Sequence, residues 1–464
     1  MSKKGVVLAL VLLLFLIPAA ERVERGGWVY SQIVGFDCER CFKDVEELTE
    51  MGPRLTGSEQ EREAAAYIKE KFEEANLSNV RIEEYNLTCF EVKKANLSVL
   101  YKGAGVQKKG ETLEHGKDFA LMAYSGSTDG PECFEVVFAG NGEVGDYEEL
   151  DVRNKAVLVR TRGLFGEQLL QAMEHGASAC LIHNTHFSQK RDYRPISGAT
   201  VLQDWSGRLI PFPDANPDPI PLLMVSYQVG KDLRQAIKNS RSDPMIRLDV
   251  DSPIFEGSLS IVTGEILGSA DPEEFVLVGA HHDSVYLSPG AVDNAAGCAT
   301  LIELARQLSK FAPRKTIKFA TWGGEEEGMF GSAKWTDAHG EEVGNLIAYF
   351  NIDQNNINLE RGNSIWFISN NGELLNLLEL IHKHMVRFYP EIEGYKIYFD
   401  WKLGATSGDE IPFIQKLKKV ISVYGSGTLN WEYHTPLDKI DYVYPESLAI
   451  TGYLLGPLIL WLTN

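Results

Sequence analysis

Five short segments carry side chains able to bind cations or move protons. They are His281-His282-Asp283, Asp293-Asn294 within Gly290–Gly297, Glu325-Glu326-Glu327, Asn351-Ile352-Asp353, and Glu432-Tyr433-His434-Thr435-Pro436. Singly, each has a plain explanation: a polar strand end, an Asp-Asn helix cap, a solvated acidic run. Together they are the inventory of a metal-dependent hydrolase. Imidazole and carboxylate suit zinc, and a carboxylate has two oxygens, so one Asp can bridge two ions. Two bridged ions about 3.5–4 Å apart polarise a carbonyl and acidify a shared water. A further, uncoordinated carboxylate can take that water's proton.

Such side chains converge only if the elements before them end at a common place. Apolar runs predict strands over Phe275–Ala280, Thr316–Trp322, Leu346–Ile352, Ser364–Ser369 and Val420–Tyr424. Helical spacing of apolar residues predicts helices over Glu59–Asn76 (capped by Ser58), Asn294–Lys310, Gly372–Tyr389 and Leu448–Leu462. Alternation of this kind implies an α/β sheet covered on both faces, with sites beyond the carboxyl ends of its strands. The five segments follow predicted strands. The closing helix is apolar but short for a membrane span, which needs about 20 residues. Between them, from Thr88 to Pro253, the pattern changes to short strands at Glu135–Ala139, Ala156–Arg160, Ala179–His183 and Pro221–Val225, with a helix near Glu167–His175. Five prolines from Pro211 to Pro221 mark a loop without regular structure.

The series His-X-Asp, Gly-Ala-X-Asp-Asn-X-X-Gly, Glu-Glu-X-Gly-X-X-Gly-Ser, Asp and Tyr-His-Thr resembles the co-catalytic zinc exopeptidases. That group includes bacterial leucyl aminopeptidases, glutamate carboxypeptidase II and the transferrin receptor. The lead-in Gly52-Pro53-Arg54-Leu55-Thr56-Gly57-Ser58 resembles the group's N-terminal segment. The stretch Asn154–Arg160 followed by Gly176-Ala177-Ser178-Ala179 resembles a protease-associated domain. The resemblance implies a mixed, mostly parallel central sheet flanked by helices, the zinc exopeptidase fold, with an inserted β-rich protease-associated domain. The implied divisions are 21–87, an insert at 88–253, and 254–464. It implies two zinc ions: one on His281, Asp293 and Asp353, the other on Asp293, Glu326 and His434. It further implies Glu325 as general base, Asp283 as the carboxylate orienting His281, and Tyr433 as an oxyanion donor. His282 falls on the opposite side of its strand, and Glu327, His183 and His186 match no role. One departure is Glu410, which stands where many relatives carry histidine, beside the matching Asp409.

Charge and address narrow the setting. With 45 basic and 65 acidic residues among 464, the formal charge is −20, which disfavours nucleic acid and anionic membranes as partners. Lys3 and Lys4, the apolar run Val6–Ile17 and Pro18-Ala19-Ala20 read as an export signal over residues 1–20, or an N-terminal anchor if uncleaved. Either places the protein outside the cytoplasm. Sequons at Asn76, Asn86 and Asn96 fit glycosylation there. Of six cysteines, Cys38 and Cys41 suggest a local bridge, Cys89 and Cys133 a second pair, and Cys180 and Cys298 buried thiols.

The expected function is an exported aminopeptidase acting on peptides, whose acidic site receives a free α-amine. The alternative is a carboxypeptidase or dipeptidase, with Arg160 and Arg162 as candidates to receive an α-carboxylate. A single-zinc glutaminyl cyclase and a non-catalytic receptor-like protein are further readings; the second conflicts with a full ligand set.

Overall fold

The computed structural model describes residues 35–464, apart from 104–105, 163–164, 186–193, 205–207, 240–243, 360–361, 402–407 and 427–431. The expected address segment and His186 lie outside the described residues.

Eight strands form the main sheet. In spatial order they are Ser78–Phe90, Ile254–Ile266, Lys315–Trp322, Asp271–His281, Leu346–Ile352, Val420–Gly425, Ser364–Ser369 and Lys396–Asp400. The four central strands, from Lys315–Trp322 to Val420–Gly425, run parallel to one another. Antiparallel partners bracket them on both sides. Central parallel strands lie between helical layers and read as apolar runs. Accordingly the last seven residues of Asp271–His281 are all buried. The strands Leu346–Ile352 and Ser364–Ser369 lie as the alternation predicts, and the other three extend by a few residues.

One layer over this sheet consists of helices Cys38–Glu50, Ala296–Leu308 and Pro445–Thr463, which pack on one another. Ala296–Leu308 is buried along nearly its whole length. Pro445–Thr463 is long and apolar enough to cross a membrane, yet 83% of its apolar window is buried inside the protein, as befits a core helix. Helix Glu59–Glu74 starts where expected, with Ser58 accepting the Glu61 amide at 3.1 Å.

The two long outer strands, Ser78–Phe90 and Ile254–Ile266, pair along their whole length, Phe90 opposite Ile254. Between those two residues the chain leaves and builds a second eight-stranded sheet, from Lys94 to Asp251, with its own apolar clusters. Its strands Ala156–Arg160 and Ala179–His183 match the expected bounds. Sequence pattern missed the outer pairs, Lys94–Gly103 and Pro244–Asp251, because their polar faces dilute the apolar signal.

Three local expectations are corrected. The proline-rich stretch holds a short helix, Phe212–Ala215, with Pro213 in its first turn, where a missing amide costs little. The helix expected from Asn294 starts at Ala296, because Asp293 and Asn294 take non-helical backbone angles. All six cysteines are free. Cys41 turns into the core while Cys38 stays at its edge; Cys89 and Cys133 sit in different sheets, and the Cys89 thiol fills space left by Gly57 and Gly257.

Candidate metal centre

The parallel strands Asp271–His281, Lys315–Trp322 and Leu346–Ile352 deliver His281, the Glu325–Glu327 segment and Asp353 to one edge of the sheet. His434 arrives from the loop after Val420–Gly425. Asp293 comes from the irregular turn ahead of the Ala296–Leu308 helix. Two groups of possible ligands result: His281, Asp293 and Asp353, and Asp293, Glu326 and His434, each with its ligand atoms within 4.8 Å. Asp293 belongs to both. His281 Nε2 lies 3.2 Å from Asp293 Oδ1 and 3.4 Å from Asp353 Oδ1. His434 Nε2 lies 3.3 Å from Asp293 Oδ2 and 2.7 Å from Glu326 Oε2.

Backbone acceptors decide which imidazole nitrogen faces this centre. His281 Nδ1 lies 3.2 Å from the Asp283 carbonyl oxygen and 3.4 Å from its carboxylate. His434 Nδ1 lies 2.8 Å from the Ser197 carbonyl oxygen, in the second sheet region. A carbonyl oxygen only accepts, so both Nδ1 atoms carry protons, leaving both Nε2 atoms to face the carboxylates.

Asn294 fixes the distance between the turn and the strand end. Its Nδ2 donates to Ile352 O at 2.9 Å, and its Oδ1 accepts from Gln354 N and Gly297 N. Gly297 is required for this approach, since a Cβ there would lie 2.2 Å from Asn294 Oδ1 and 2.5 Å from Ile352 O. From the other side, Asp438 accepts the amides of Val292 and Asp293 at 2.8 and 3.0 Å. Sequence reading missed Asp438, whose partners are 145 and 146 positions away.

Arg54 holds the loop between His281 and Asp293. Fully buried, it donates to four carbonyl oxygens, of His282 (2.7 Å), Leu48 (3.0 Å), Pro289 (2.6 Å) and Gly290 (3.0 Å). Asp283 ties two strand ends together: its Oδ2 accepts from Glu326 N at 3.1 Å and Thr56 Oγ1 at 3.2 Å. Glu327 is buried and hydrogen-bonded to the same Thr56 hydroxyl. His282 points away, with Nε2 3.1 Å from Glu61 Oε1, which also accepts Ser260 N. Asp409 accepts from Ser332, and Glu410 from Asn351 Nδ2 at 2.9 Å. Tyr433 stacks on the His434 ring, centroids 3.7 Å apart. In the second sheet, His183 Nε2 lies 3.0 Å from the Tyr227 carbonyl, and burial lowers its pKa.

The charge of the centre tests whether cations fit. Burial alone would push the His434 imidazole down, but Glu326 and Asp293 hold it up to about 10. Burial raises Glu326 to about 7 and holds Asp353 above the usual carboxylate range. Glu325 is only half-buried, yet burial, with Asp409, Glu326 and Asp353 around it, pushes its carboxyl well up against the pull of His281. Asp293 Oδ2, Glu326 Oε1 and Asp353 Oδ1 are buried without a hydrogen-bond donor. Orphaned buried carboxylate oxygens beside aligned imidazoles are what a divalent cation would satisfy, so the residues present fit zinc.

Comparison with known proteins agrees with this chemistry. Residues 262–459 match the model of peptidase family M28. Aminopeptidase YwaD of Bacillus subtilis (strain 168) is 25% identical, the match covering 94% of this chain and 87% of that protein. A probable glutamate carboxypeptidase of Zea mays, VP8, is also 25% identical, covering 91% of this chain and 66% of that protein. The crystal structure of BSAP, a zinc aminopeptidase from Bacillus subtilis, superposes with a TM-score of 0.70 at 22% identity, covering 93% of this chain and 96% of that one. Residues 262–459 thus form a peptidase family M28 domain, in keeping with the zinc exopeptidase chemistry of the site.

Proposed function

We propose that the protein is a two-zinc aminopeptidase that removes the first residue of peptides outside the cytoplasm. The observation that carries this reading is the sharing of Asp293 between two ligand groups, next to a carboxylate, Glu325, that belongs to neither. In this reading His281 and Asp353 hold one ion, Glu326 and His434 the other, and Asp293 bridges. Zinc held there supplies a polarised scissile carbonyl and an acidified water. Glu325 takes the proton of the attacking water and returns it to the leaving amine. Asp283 keeps His281 oriented, and the Tyr433 hydroxyl donates to the developing oxyanion. The surrounding carboxylates attract a substrate's α-ammonium group.

The relatives named aminopeptidase support this reading. The carboxypeptidase alternative has less support, because its candidate cations are occupied. Arg160 donates to Asn141 Oδ1 at 3.1 Å and lies over the Phe138 ring; Arg162 pairs with Glu143 at 2.8 Å. Export is supported by the basic-then-apolar start of the chain and by the exposure of Asn76, Asn86 and Asn96. The second sheet region is read as a protease-associated domain on its Asn154–Arg160 segment.

Metal analysis of the Glu325→Gln protein tests the mechanism. Two zinc ions per chain should remain while turnover falls by about 10²–10⁴. Retained activity overturns the assignment of the base. Cleavage of N-acetylated peptides, with C-amidated ones refused, overturns the aminopeptidase reading.

A further inference from the structure

The main sheet ends in two unlike edges. At one end, strand Ser78–Phe90 exposes Arg81 and Glu84 and shifts register between Ser78 and Arg81. Charges and irregular register discourage a second sheet from pairing there. At the other end, strand Lys396–Asp400 pairs with Ser364–Ser369 without a shift, and among the described residues nothing pairs with its outer side. It exposes Tyr398 (44%) and, just beyond it, Trp401 (76%). A regular edge with exposed rings is a template for another strand.

The direction of the free backbone groups follows from the register. Lys396 N donates inward, to Asn363 O at 2.6 Å. Alternation along the strand then turns the amides and carbonyls of Ile397 and Phe399 outward. Side chains alternate as well. Tyr398 stacks on Trp366 on one face, centroids 5.4 Å apart. On the other face Phe399 stacks on Phe367 at 5.9 Å and meets His382 of helix Gly372–Met385 at 5.7 Å.

The residues on this edge are complementary to themselves. The run is Tyr395-Lys396-Ile397-Tyr398-Phe399-Asp400-Trp401. Laid antiparallel on a second copy about Tyr398, it places Lys396 opposite Asp400, Ile397 opposite Phe399, and Tyr395 opposite Trp401. Opposite charges and paired apolar side chains directly across an antiparallel ladder are stabilising. The same register matches the backbone: Ile397 and Phe399, whose polar groups face outward, fall opposite each other as the hydrogen-bonded pair. A slip by one residue would lose both the charge match and this hydrogen bonding.

We propose that strand Lys396–Asp400 is a dimer interface, in which two copies of the chain join edge to edge about a twofold axis at Tyr398. The contact is isologous, so each Lys396 meets the Asp400 of the other copy and both pairs form at once. The two main sheets become one continuous sheet.

Sedimentation equilibrium of the purified protein over a range of concentrations tests this, with a monomer–dimer equilibrium expected. Lys396→Glu or Asp400→Lys alone sets like charges face to face twice, and should raise the dissociation constant about tenfold or more. The double variant Lys396→Glu/Asp400→Lys should restore it. In Tyr398→Cys the two thiols would sit in a non-hydrogen-bonded pair, about 4.5 Å apart at Cα and within disulfide reach. Copper-phenanthroline and dissolved oxygen should then link it into a covalent dimer, while the unaltered protein, with its exposed Cys133, should stay unlinked. Far-UV circular dichroism and zinc content check that each variant is folded, and the Tyr398→Cys cross-link decides if a charge variant is not. A monomer at every concentration overturns the inference, since the edge is then open or covered by another segment or partner. So does a dimer indifferent to the single reversals, a double variant no tighter than the singles, or a folded Tyr398→Cys protein that does not link.

Discussion

His434 Nδ1 lies 2.8 Å from the carbonyl oxygen of Ser197, 237 positions earlier in the chain. A candidate ligand on the main domain is thereby oriented by the second sheet region, which joins in building the centre rather than only covering it. The Ser197 segment is itself anchored: Asn184 Nδ2 donates to Arg194 O, and Gly198 O accepts from Ala123 N.

Loosening that anchor should reach the metal. Asn184→Leu removes the donor to Arg194 and lets Ser197 drift from His434. Zinc affinity should fall about 10- to 100-fold, as when other ligand-orienting partners are removed. Competition with a zinc-buffering chelator measures it; unchanged affinity would show that Ser197 does not orient the ligand.

Zinc removal and return should exchange protons. Without metal, its carboxylate neighbours hold the His434 imidazole above its usual range and burial holds Glu326 above its own, so at neutral pH the centre carries protons on these groups. These protons must leave before the atoms can ligate. Re-addition of zinc to chelated protein at pH 7 should therefore release protons, and apparent affinity should rise with pH from 6 to 8. Calorimetry in buffers of different ionisation enthalpy reads the proton count; no buffer dependence contradicts it.

Arg54 should matter to stability as well as to the centre. Arg54→Met leaves the carbonyl oxygens of His282, Leu48, Pro289 and Gly290 buried without their donor. The expected cost is about 3–5 kcal/mol, seen as a lower midpoint in denaturant. Arg54→Lys should recover little of it, since one ammonium cannot span the four acceptors.

Tyr433 separates stacking from catalysis. Tyr433→Phe keeps the ring on His434 but removes the hydroxyl. If that hydroxyl stabilises the oxyanion, kcat should fall about 10²-fold with KM little changed. Steady-state kinetics decide it, and an unaltered kcat leaves Tyr433 a packing residue.

The amino-acid sequence by itself determined the kind of chemistry and the frame that carries it. Apolar runs and helical spacing are local, so the strands ending at His281, Trp322 and Ile352 were legible, and with them the residues that follow. Glu325 and Glu326 stood out because they follow such a strand. Tertiary structure alone decided the rest, because it depends on residues far apart in the chain. That Asp293 lies between His281 and His434 follows from Asn294 and Asp438 gripping the turn from opposite sides. That Ser197 orients His434 follows from the docking of two sheets. Arg54 read only as part of a motif; its four acceptors come from a loop and a helix end that meet only in the folded chain. The cysteines, whose spacing suggested bridges, are kept apart by the directions in which their helix and strands face. No local periodicity encodes such contacts, since each depends on how whole elements pack.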